Sequence, residues 1–200
     1  FHALIRFGRW EQILQEPDYP EWRPVSRAVR AYARSIACSA LGRTEQARAE
    51  MAEFEARVAE VPDGWYIVQN KVSDVLPIAR AMIQGELLFR EGRRDEAFEI
   101  LRRGVAAEDR LVYDEPPGWM LPIRHALAAL LTADGRYEEA EAVYREDLKR
   151  NRDNAWALTG LRRALIALGR TEEADALTPH LEQALADATI RPTSSCLCEP

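Results

Sequence analysis

The stretch "SSCLCEP" near the end of the chain sets Cys196 and Cys198 one residue apart. Two thiolates at that spacing bind a soft metal such as copper(I) or zinc, or oxidise. A closed tetrahedral zinc site needs four ligands, and the sequence has no second Cys-x-Cys or Cys-x-x-Cys; the nearest imidazole, His180, belongs to a separate helix. His125 follows Arg124 in an apolar stretch where no nucleophile stands beside it, so it reads as a solvent-facing or hydrogen-bonded side chain. No GxSxG, HExxH, glycine-rich phosphate loop or EF-hand pattern occurs. The carboxylates fall on helix exteriors, where they form solvated faces. The expectation is a non-catalytic chain without a cofactor, with a metal or redox role for Cys196 and Cys198 as the alternative.

The elements that carry these residues follow from composition and periodicity. The chain has 200 residues, 47% of them apolar, enough for one sizeable core. A formal charge of -6 argues against nucleic acid as a partner. No run approaches the roughly 18 apolar residues of a membrane span. Three cysteines (Cys38, Cys196 and Cys198) are odd in number, which fits a reducing, cytoplasmic compartment better than a disulfide framework. "FHALIRFGRW" reads as the inside of a helix with no initiator Met before it. The expectation is a piece of a longer protein, with an apolar N-terminal edge covered by preceding residues or by a second copy.

Gly8, Gly42, Gly92, Gly135 and Gly169 are each followed by Arg, at intervals of 34, 50, 43 and 34 residues. Two intervals equal 34, and the others are 34 with insertions of 16 and 9. Such a period marks stacked helix hairpins. After Gly135, Ala140, Val143, Tyr144 and Leu148 form one apolar stripe at helical spacing. Glu141 with Arg145 and Glu146 with Arg150 support the opposite face by about 0.2–0.5 kcal/mol each. One hairpin cannot bury its own stripe, so neighbours must share it.

The unit from Leu121 to Asn154 resembles the tetratricopeptide repeat family. Leu127, Ala128 and Leu131 match its first helix, Gly135 its turn, and Tyr137, Ala140, Tyr144 and Leu148 its second helix. Arg124 and Arg152 depart from the usual aromatic and proline. The next unit matches through Leu158, Leu161, Leu165, Gly169, Ala174 and Leu181. Earlier ones match through Gly85, Leu88, Gly92 and Ala97, and through Ser35, Cys38, Gly42, Ala47 and Phe54. The stretches "RFGRWEQIL", "YDEPPGWMLPIRHALAALL" and "AVYREDLKRNRDNAWALTGL" also resemble the C-terminal part of larger bacterial proteins of this family. The resemblance implies an all-α, right-handed superhelical solenoid of antiparallel helix hairpins, about five of them with two insertions. It covers residues 1–188, the first hairpin being truncated at its N-terminus. Residues 189–200, broken by Pro192, Thr193, Ser194 and Ser195, read as a flexible tail.

The family's first helices line an inner groove that binds peptides. The resemblance puts Tyr32, Ile36, Met82, Glu86, Phe89, Arg90, His125, Trp156, Thr159 and Arg163 there. A carboxylate clamp of Lys, Asn and Arg is absent from these positions, leaving a different peptide, an intramolecular tail or a partner subunit as the occupant. The first insertion carries Trp65 and Tyr66 after a Pro62-Asp63-Gly64 turn. The helix beyond it either starts at a Ser73 or Asp74 cap with Pro77 in its first turn, or begins near Trp65 and kinks at Pro77. In the second, Pro116, Pro117 and Gly118 exclude helix between Tyr113 and Trp119. These aromatics form either a lip over the inner surface or a plug between two repeats. The expected function is a protein- or peptide-binding scaffold; the alternatives are copper or zinc binding at the tail, and a regulatory domain for an enzyme encoded upstream.

Overall fold

The computed structural model describes residues 1–197, so Cys198 lies outside the described residues. The chain divides into two compact units at the start of one helix, between Ile123 and Arg124.

Unit 1 is built from α1 (His2–Arg6), α2 (Trp10–Gln15), α3 (Pro24–Ala40), α4 (Thr44–Ala59), α5 (Val72–Arg90) and α6 (Arg94–Glu108). A short hairpin of β1 (Tyr66–Ile67) and β2 (Asn70–Lys71) precedes α5. α3 pairs with α4 and α5 with α6, and α3 also packs on α5, so the first helices of the two hairpins are neighbours. Their contact faces bury Tyr32, Ile36, Met82 and Phe89. α5 starts at Val72, just ahead of Ser73, and Pro77 lies inside it, past the first turn. Trp65 to Lys71 form the turn and hairpin, not a helical extension.

Unit 2 holds most of α7 (Ile123–Ala133), then α8 (Tyr137–Arg150), α9 (Ala155–Ala167), α10 (Thr171–Ala176) and α11 (Thr178–Ala184). α8 packs on α9, and α9 on both α10 and α11. Asn154 caps α9 by accepting hydrogen bonds from the Trp156 and Ala157 amides.

The Gly-Arg step is one local device used five times. Each glycine ends a helix at positive φ, between 62° and 81°. That lets the next amide, on Arg9, Arg43, Arg93, Arg136 or Arg170, return to the carbonyl five residues back at 2.8–2.9 Å. This closes the helix end, and only glycine enters the left-handed region there without strain. The arginine then stands just ahead of the following helix; Arg93 reaches Glu96 and Arg170 reaches Glu173 at 2.6 Å.

The insertions are tied to each other. The Asn70 side chain donates to the Val112 carbonyl at 3.0 Å and accepts from the Val112 amide at 2.8 Å, copying a strand pairing. The Gln69 amide donates to Asp114 Oδ2 at 3.1 Å. A Cβ on Gly118 would stand 2.8 Å from Asn70 Nδ2, so the Pro-Pro-Gly turn fits closely against the same asparagine.

Candidate functional site: an inner helix face holding the chain's own tail

The sharpest constellation lies in unit 2. Tyr144 projects from α8, and its ring occupies the place a Cβ on Gly160 of α9 would take, 2.2 Å from Tyr144 Cζ. The glycine therefore lets the phenol pass over α9, and Tyr144 is 1% exposed. Its hydroxyl lies 2.7 Å from Ser195 Oγ, which in turn is 2.8 Å from the main-chain carbonyl of His125 on α7. A carbonyl only accepts, so the Ser195 hydrogen goes to His125, and Tyr144 is the donor to Ser195. On α9, Arg163 Nη1 donates to the Thr193 carbonyl at 3.2 Å. Upstream, Arg191 pairs with Glu182 of α11 at 3.0 Å.

The tail expected to be flexible thus lies against α7, α8 and α9, with Ser194 and Ser195 buried. The hydroxyl seat supplies the physical reason: it satisfies both the donor and the acceptor capacity of a group removed from water.

His125 is buried, and its Nε2 lies 3.0 Å from Asp147 Oδ2. A carboxylate accepts, so the ring nitrogen donates. Asp147 Oδ1 also receives Asn151 Nδ2 at 3.0 Å. His125 is the hydrogen-bonded kind of histidine, not the solvent-facing one. The fold does place a serine beside it, contrary to the sequence reading. Ser195, however, bonds the main-chain oxygen of His125, not its imidazole. The hydroxyl is spent on an acceptor and is inaccessible, so the trio lacks the nucleophile–base contact of acyl-transfer chemistry.

In unit 1 the inner positions are covered by other means. Trp119 is 3% exposed and packs on Tyr32 at 5.2 Å between ring centroids and on His2 at 4.7 Å, both edge-on. The Tyr32 hydroxyl donates to Met82 Sδ at 3.4 Å. Glu86 is fully buried, and neither carboxyl oxygen has a hydrogen-bond partner. Burial pushes its pKa up to about 8, with Arg90 pulling the other way, so at neutral pH it sits mainly as the neutral acid. Burial and the nearby Glu86 also push the Tyr32 phenol up. Phe89 is buried under the Arg94 guanidinium, 3.7 Å above its ring.

Of the positions assigned to an open groove, Tyr32, Ile36, Met82, Glu86, Phe89, His125 and Thr159 are therefore buried. Arg90, Trp156 and Arg163 are half-buried. Trp119 closes over Tyr32, whereas Trp65, Tyr66 and Tyr113 stay exposed at 41%, 55% and 77%. Cys196 is half-buried and disulfide-bonded. Among the described residues no group of three or more His, Cys, Asp or Glu could hold an ion. No helix of the described residues is long and apolar enough to cross a membrane.

Sequence reasoning placed Tyr144 only in packing and took Ser194 and Ser195 as helix breakers. It passed over Asn70, Asp114 and Asp147. For Asn70 and Asp114 the available signal was chemical: short polar side chains in the insertions replace missing backbone partners.

The sequence model for the tetratricopeptide repeat matches residues 131–188, from the last turn of α7 past the end of α11. That segment matches the tetratricopeptide repeat, and the fold is consistent with an all-α helical repeat of this kind. No curated protein and no solved structure matches the chain. Repeats of this family serve in general as protein-interaction scaffolds.

Proposed function

We propose that this chain is a non-catalytic scaffold that receives a peptide segment on the helices of its repeats. One observation carries the reading: α7, α8 and α9 already hold a segment that bends at residues 193–195, through a buried hydroxyl and a main-chain contact. An arginine aimed at a main-chain carbonyl reads any sequence, while a pocket for one side chain supplies selection. The half-buried Arg163 and Trp156 are the assigned groove residues that remain within reach of a ligand on this unit.

The test is a chain ending at Ala188, checked for helix content by circular dichroism, titrated with a labelled peptide of residues 189–197 under reducing conditions. Saturable one-to-one binding, weakened by Arg163→Ala, is expected. A helical truncated chain that takes up no peptide would remove the inner face from the function.

A further inference from the structure

We propose that the α7–α8–α9 face recognises a partner segment by an unmodified serine hydroxyl, and that residues Thr193–Ser195 are a cis occupant which such a partner must displace. This rests on the peptide-binding reading above and adds the chemistry of the ligand and its competition with the tail.

In the seat an acceptor and a donor converge on a single atom. The His125 carbonyl demands a hydrogen, and the Tyr144 phenol offers one. A hydroxyl oxygen answers both; a carboxylate or phosphate oxygen cannot donate, and a main-chain amide cannot accept. The space is closed as well, since Ser195 is 0% exposed and Ser194 is 1% exposed. A phosphoserine would bring three acceptor oxygens and about two negative charges into a closed space against the His125 carbonyl. The seat therefore favours serine over alanine, which makes neither bond, and rejects the phosphorylated residue.

Two residues earlier, Arg163 holds the Thr193 carbonyl. That contact sets direction and register without reading a side chain. Pro192 holds its own φ near −65° and biases Arg191 to extended backbone just ahead of the bend at residues 193–195. The partner that fits is a segment that bends at a serine two residues beyond a free carbonyl, preceded by a proline.

The tail is covalently attached, so its seating is intramolecular and competes at a high effective concentration. A partner then meets a binding-competent face only in the fraction of molecules whose tail has left, and its apparent affinity falls by that fraction.

The experiment uses the full chain. A fluorescent peptide of residues 189–197 is titrated into wild type and into Ser195→Glu, whose carboxylate cannot donate to His125. Binding to the variant should be saturable and at least about tenfold tighter than to wild type. Peptides carrying alanine or phosphoserine at the Ser195 position should bind the variant weakly and not at all, respectively. Equal affinity for wild type and variant would overturn the cis competition, and equal affinity of serine and alanine peptides would overturn hydroxyl recognition; both results leave peptide binding itself standing. If Ser195→Glu does not fold, hydrogen exchange on wild type decides: excess peptide should deprotect residues 193–197 of the chain, and unchanged protection would contradict the proposal.

Discussion

The Tyr144 hydroxyl on α8 lies 2.7 Å from Ser195 Oγ, although 51 residues separate them in the chain. The contact exists because Gly160 leaves the phenol room to cross α9. Fold and candidate site meet at that glycine.

Gly160→Ala places a methyl group inside the Tyr144 ring. Overpacking of this kind costs about 1–3 kcal/mol and should also displace the tail. Urea denaturation and hydrogen exchange of residues 193–197 measure both effects together. A variant as stable as wild type, with the tail still protected, would mean that the ring moves aside without consequence.

Trp119→Ala should destabilise unit 1 by about 3–5 kcal/mol, since the indole covers Tyr32 and meets His2 edge-on. Thermal unfolding followed by circular dichroism reads the loss. A change below about 1 kcal/mol would return Trp119 to the role of an exposed lip.

Glu86 gives a pH signature. Its folded pKa of about 8 exceeds the ordinary 4.5, so between those values the folded chain keeps a proton that the unfolded chain has lost. Stability from this group is complete below about pH 4.5 and falls as pH rises to about 8. Glu86→Gln should match wild type near pH 4.5 and exceed it at pH 9 by on the order of a few kcal/mol. Denaturation midpoints at those two pH values decide; parallel curves would show that the buried acid finds its own compensation.

Asn70→Ala removes both bonds to Val112 and should loosen the link between the insertions by about 1–2 kcal/mol. Faster amide exchange at residues 112–119, with α3 and α4 unchanged, is the expected result. Uniform exchange across unit 1 would place the asparagine in the global core.

What the sequence disclosed divides along a physical line. A helix end at positive φ is a local demand, so Gly42-Arg43 and Gly135-Arg136 announced their turns without tertiary information. The apolar face of α3 and α5 was equally local, and Tyr32 and Met82 do meet between these helices. What covers that face was not local. Trp119 arrives from a later insertion and His2 from an earlier helix, so positions assigned to an open groove are closed. Ser195 is the extreme case: nothing in "PTSSC" names Tyr144 or His125 as its partners. Pro77 misled in a smaller way, because its helix begins at Val72 and accommodates it beyond the first turn.

The most direct measurement of the tail's seat is a double-mutant cycle on Tyr144→Phe and Ser195→Ala, read by urea denaturation of the full chain. A real bond between these side chains predicts a coupling of about 0.5–1.5 kcal/mol between the two substitutions. Effects that add to within about 0.3 kcal/mol would mean that the hydroxyls do not meet in solution, and that the inner face of unit 2 holds no segment at all.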